Sequence, residues 1–168
     1  MIIKTISNLT SLELSKNKKY MTNTIYNIIK FIIKNRCIRY YVKEYNPILL
    51  YNTLTDLSYA CSLYDLESIE TDKVKFKHEV NDTTLNEHKL IIEYGNTKLI
   101  IKIVVYGLNF ELITPTYSYS GDWQKSIGKF ECNDNIQFEI TSIILTTIVE
   151  VLNHILDLTP KYKYLMRR

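Results

Sequence analysis

The stretch 73–113 constrains this chain more than any other, because its apolar residues recur at every second position and its charges fall into cross-strand register. Val74, Phe76, His78 and Val80 share one side of a first strand over 73–80. Gly95-Asn96 reads as a two-residue hairpin turn; with Tyr94 facing Thr97, Glu93 faces Lys98, Ile91 faces Ile100 and Lys89 faces Lys102. A second turn at Tyr106-Gly107 sets Val105 against Leu108, Lys102 against Glu111 and Ile100 against Ile113. Looping out 81–87 opposes Val80 to His88, Glu79 to Lys89 and Lys75 to Glu93. Four opposite-charge pairs and one like-charge clash then share a single register. Each pair contributes from a few tenths to about 1 kcal/mol, so the pattern predicts a four-stranded antiparallel meander over 73–114.

The two faces of that sheet differ. One holds Val74, Phe76, Val80, Leu90, Ile92, Leu99, Ile101, Ile103, Val105, Leu108, Phe110 and Leu112, a surface that must pack under helices. The other is charged except for Ile91, Ile100 and Ile113, which the register lines up side by side. That apolar stripe needs cover, either from the N-terminal arm or a strand near residue 40, or from a partner.

Helical periods flank the meander. Ile25, Ile28, Ile29, Ile32 and Ile33 share a face of a helix over about 23–36, with Thr22 or Asn23 as cap. The stretch 37–44 alternates like a short strand. Asn46-Pro47 begins a second helix whose stripe of Leu50, Leu54, Leu57, Cys61 and Tyr64 runs to about Glu67. Ile140, Ile144, Ile148, Val151, Ile155 and Leu158 define a third helix ending before Pro160, rich in β-branched residues and so dependent on packing. The expected class is α+β: a four- to five-stranded antiparallel meander, extended by a strand near 127–132, packed on one face by two or three helices. Residues 20–160 form the single domain, between a basic arm over 1–19 and a basic tail over 161–168.

Charge and composition bear on function. The formal +3 resolves into +7 over 1–45, -5 over 46–72, -3 over 73–160 and +4 over 161–168, so basic ends bracket an acidic body. Ile, Lys, Asn and Tyr supply 69 of the 168 residues against one Ala, a bias that points to an A/T-rich genome such as that of a phage, a large DNA virus, a low-GC bacterium or a reduced parasite. Cys37, Cys61 and Cys132 are too few and too scattered for a disulfide framework, and the longest uncharged run, 45–55, is too short to insert in a membrane. A cytoplasmic location, in a host cell or within a virion, is expected.

The four glycines stand at 95, 107, 121 and 128, which excludes GxGxxG, P-loop and GxSxG sites. His78 and His88 are diagonal neighbours in the expected register, with Asp82 and Glu87 nearby, and form a weak metal or acid–base candidate. Glu150, His154 and Asp157 share a helix side that reads as solvated. The segment 114–123 combines Tyr117, Tyr119 and the lone Trp123 with Ser and Gly, as recognition loops do, or else folds back as a lid.

The leading expectation is a non-catalytic interaction or assembly protein without cofactor, a structural or accessory component of a virus or phage. It would bind a protein partner or itself through Tyr117, Tyr119, Trp123, Ile91, Ile100 and Ile113. The alternative is a nucleic-acid-associated protein using Lys16, Lys18, Lys19, Lys30, Lys34, Arg36, Arg39 and Lys43, among interleaved tyrosines. A metal-dependent hydrolase built on His78 and His88 comes third.

Overall fold

Thr22 opens the first helix: its hydroxyl accepts the Ile25 amide at 3.3 Å and its carbonyl accepts the Tyr26 amide at 3.0 Å, the N-cap arrangement. A computed structural model describes residues 15–16, 18–35, 47–81, 87–124 and 134–158 of the chain. After a 3-10 turn at Lys18–Tyr20 come helices α1 (Asn23–Asn35) and α2 (Pro47–Leu63). Strands β1 (Ser68–Glu70), β2 (Lys75–Val80), β3 (His88–Tyr94), β4 (Thr97–Val104), β5 (Gly107–Ile113) and β6 (Ser118–Gln124) follow, then helix α3 (Asp134–Leu158).

The strands form one antiparallel sheet in sequence order, β1 to β6. The fold is therefore α+β with an open six-stranded meander, against the four or five strands expected. β1 is only three residues long and carries no periodic pattern of its own, while β6 occupies the segment read above as a loop. The strands expected over 37–44 and 127–132, and most of the terminal arm and tail, lie outside the described residues.

The helices bury their predicted stripes. Ile25, Ile28, Ile29 and Ile32 of α1, Leu50, Leu54, Leu57 and Cys61 of α2, and Ile140, Ile144, Ile148, Val151 and Ile155 of α3 are all at most 1% exposed. They join Phe76, Leu90, Ile92, Leu99, Ile101, Ile103, Leu108, Phe110 and Leu112 of the sheet in one core. Each such side chain removed from water contributes about 1.5–3 kcal/mol, which is how packing holds the β-branched α3 helical despite weak propensity. Residues Asn135–Asp157 are apolar and long enough to cross a membrane, with mean hydropathy 1.4, yet 67% of that window is buried within the fold. Cys61 is sealed in the same core, where burial pushes its thiol up to about 12.

α2 stops four residues before the expected Glu67. Asp65 adopts a left-handed φ of 52°, the Leu66 amide reaches back to the Cys61 carbonyl at 2.8 Å and the Asp65 amide to Ser62 at 3.3 Å. This is a Schellman stop, anchored by the buried Leu66, with Asp in the place that glycine usually takes.

Pairing between β2, β3 and β4 follows the expected register, including Glu79–Lys89, Lys75–Glu93, Glu93–Lys98 and the Lys89–Lys102 clash. The Gly95-Asn96 turn is also present, with Gly95 at φ 59° and no positive φ at Asn96, the II′ form that suits a right-twisted hairpin. The β4–β5 register is shifted by two residues from expectation. Val104 pairs with Gly107, so Val105 and Tyr106 form the turn and Lys102 faces Asn109 instead of Glu111. Val105 is consequently 64% exposed in the turn and leaves the expected core face, while Val80, at the same end of the sheet, keeps its register but is 37% exposed. The buried Tyr51 of α2 fixes this turn, donating its hydroxyl to the carbonyls of Val104 at 2.8 Å and Val105 at 3.2 Å.

Candidate functional site

The face of the sheet turned away from the core is organised in rows. One row runs Glu70, Lys75, Glu93, Lys98 across four adjacent strands, alternating in sign, and Glu70 and Lys75 approach to 3.8 Å. Another runs Glu79, Lys89, Lys102, Asn109. Between them lies Lys77, Ile91, Ile100, Glu111, so the cross-strand pair Ile91–Ile100 is framed by charge on every side. Both isoleucines are half-buried.

Ile113 does not complete a stripe. The two-residue shift of β5 sets it opposite Lys98 and leaves Glu111 facing Ile100, so Ile113 stands 39% exposed at a diagonal.

The aromatic segment is a turn and a strand rather than a loop. Thr114 closes the turn with its amide on the Tyr117 carbonyl at 2.9 Å, while its hydroxyl accepts the Tyr117 amide at 3.0 Å. Tyr117 is exposed and donates its hydroxyl to the carboxylate of Glu139 on α3, a bond that raises the phenol above its ordinary value. Tyr119 pairs with Leu112, is half-buried, and packs against the core. The backbone of Trp123 pairs with Leu108. Tyr117, in the turn, and Tyr119, on β6, stand two residues apart but do different things, one tying the sheet to α3 and the other covering the core.

His78 and His88 do meet. Their diagonal placement across β2 and β3 brings His78 Nε2 within 2.9 Å of His88 Nδ1. His78 is 7% exposed and His88 half-buried. Burial lowers His78 to about 4, helped by the nearby charge of His88, and burial lowers His88 as well, so both rings are neutral at pH 7. Beside them a cavity of about 240 Å³ is lined by Glu79, Val80, Asn81, Glu87, His88, Lys89, Lys102 and Val104. Among the described residues no group of three or more His, Cys, Asp or Glu side chains is placed to hold a metal ion.

The basic candidates divide. Lys16, Lys18, Lys19 and Lys30 are exposed, and Lys18 sits 4.9 Å above the Tyr26 ring. Lys34 lies on α1, while Arg36, Arg39 and Lys43 lie outside the described residues. On α3 the polar side is not solvated throughout: His154 and Asp157 are exposed, but Glu150 is 5% exposed and Asn153 6%, and among the described residues neither Glu150 Oε1 nor the Asn153 carboxamide has a hydrogen-bond partner. A polar side chain at helical spacing reads as surface whether or not another element covers it, which is why the pattern misplaced Glu150.

Comparison of the chain with protein-family models, with curated proteins and with solved structures gives no match.

Proposed function

We propose that this is a non-catalytic protein that binds a protein partner through the outward face of its sheet. The observation that carries this reading is the Ile91–Ile100 pair, an apolar centre set between two rows of charged side chains, one of them alternating in sign, on the face turned away from the core. Such a surface gives a partner an apolar contact to bury and a charge frame that fixes orientation, the usual division between the core and rim of an interface. The A/T-rich composition supports a place among the assembly or accessory proteins of a phage or large DNA virus.

The test is capture of the native protein with whatever it binds, at measured stoichiometry, beside Ile100→Glu. Because residue 100 faces outward, the variant is expected to keep its circular dichroism and lose the partner. Retention of the partner at unchanged stoichiometry would sink the reading. A nucleic-acid reading is favoured by one observation, the exposed Lys18 stacked on Tyr26 among further exposed lysines. It requires salt-dependent retention of DNA or RNA that falls on replacing Lys16, Lys18 and Lys19.

A further inference from the structure

We infer that His78 and His88 form a one-proton bridge that closes one end of the sheet at neutral pH and opens it when the pair takes up a second proton. The geometry supports this directly. The bridging nitrogens are 2.9 Å apart, the ring centres 5.2 Å apart and the ring planes 16° from parallel. An imidazole nitrogen lies about 1.15 Å from its ring centre. A centre-to-centre distance of 5.2 Å therefore places both nitrogens on the line joining the centres, with the rings side by side in nearly one plane. That is a straight N–H···N hydrogen bond. The lone pairs point along one axis instead of converging on a shared apex, so the pair is built around a proton and not as two corners of a tetrahedral metal site.

The proton count follows from the same axis. With both rings neutral, one proton lies between them. When His88 donates through Nδ1, its Nε2 is free to take the first added proton, and the bridge persists as a charge-assisted bond. His78 then carries its own proton on Nδ1 and accepts through Nε2. A second added proton can enter only at that Nε2, which sets two N–H groups against each other where one proton fitted. The more enclosed ring is thus the last to titrate, in agreement with the depression of His78 by both burial and the His88 charge.

Among the described residues, the charges lining the cavity beside His88 do not offset this repulsion. Glu79, Glu87, Lys89 and Lys102 line the cavity with His88, and together they are neutral. The Glu87 carboxylate is taken by Asn81 Nδ2 at 2.9 Å, and Glu67 reaches His78 only through its backbone carbonyl, 2.7 Å from the His78 amide. In the adjoining strands, the residues opposite His78 and His88 are the apolar Leu90 and Ile103. Breaking the bridge therefore releases the junction of β2 and β3, where the Asn81 amide meets the Glu87 carbonyl at 3.0 Å, and widens a cavity walled by Val80 and Val104.

The experiment is nitrogen NMR of the full chain, uniformly ¹⁵N-labelled, from pH 8 down through the His78 step near pH 4 until that step is complete. Expected are a through-bond ¹⁵N–¹⁵N coupling between His78 Nε2 and His88 Nδ1 at pH 7, its survival through the first titration, and its loss in the second, together with shifts of the Asn81 and Glu87 amides. His78→Gln keeps an acceptor for the His88 Nδ1–H but cannot take the second proton, and it should abolish the lower step while leaving the upper one. Absence of the coupling, or independent titration of the two rings, overturns the bridge. An unchanged lower step in His78→Gln overturns its assignment to His78, and Asn81 and Glu87 amides that do not move in the lower step of the unaltered chain overturn the opening. Should that variant not fold, the coupling in the unaltered chain decides alone.

Discussion

The ring of Tyr119 lies across Gly121, two residues along the same strand: a β-carbon added at 121 would overlap the phenol and sit 2.6 Å from its Cζ. Glycine is needed here for space, since Phe110 faces it across the sheet and the tyrosine supplies the cover that residue 121 lacks. Gly121→Ala should destabilise the protein by about 1–3 kcal/mol, because the ring must leave its place. In a double-mutant cycle read by urea unfolding, adding Tyr119→Ala should cancel much of the cost of the alanine; additive effects would show that the two do not interact.

Acid should weaken the fold through the histidine pair. Both rings are held below the ordinary value of 6.5 in the folded protein, His78 at about 4, so the unfolded chain binds protons that the folded one refuses. Their contribution is complete above pH 6.5 and is lost as the pH falls toward about 4. Urea unfolding at pH 7 and pH 5 should show a loss of roughly 1–2 kcal/mol, and His78→Phe should flatten that slope.

The α3 helix buries polar atoms without visible compensation. Thr141 is 1% exposed and Asn153 6%, and among the described residues neither the Thr141 hydroxyl nor the Asn153 carboxamide has a hydrogen-bond partner. Thr141→Val and Asn153→Leu should each raise stability, by about 1–2 kcal/mol, since each removes an unsatisfied buried polar group. A fall in melting temperature on either change would mean that the hydroxyl or the carboxamide has a partner in solution.

Tyr51→Phe removes the hydroxyl that bonds the carbonyls of Val104 and Val105. A loss of about 1–2 kcal/mol is expected, with faster amide exchange confined to the β4–β5 turn. Uniformly faster exchange across the sheet would instead indicate a general core defect.

Much of this architecture was legible because strand alternation and helix spacing are local. The stripes Ile25 to Ile32 and Leu50 to Cys61, the Gly95-Asn96 turn and the pairing of β2, β3 and β4 depend on neighbours within a few residues or across a tight turn. β1 and β6 were missed for a related reason: Ser68–Glu70 is too short to show a period, and Ser118–Gln124 resembles a binding loop in composition. Of the candidate site, the meeting of His78 with His88 and of Ile91 with Ile100 was legible as register. The burial of Glu150 and the bond from Tyr117 to Glu139 were not, since both depend on what lies against α3.

By itself, then, the sequence determined a helix-flanked antiparallel meander and the order of its central strands. Tertiary structure decided the β4–β5 register. Gly107 marks a turn in the chain, yet it begins a strand, because the Tyr51 hydroxyl arrives from a helix more than fifty residues earlier and claims the carbonyls of Val104 and Val105. A shift of two residues leaves every side chain on its own face, so alternation cannot distinguish the two registers. One long-range hydrogen-bond donor distinguishes them, and in doing so it moves Glu111 beside Ile100 and makes the outward face what it is.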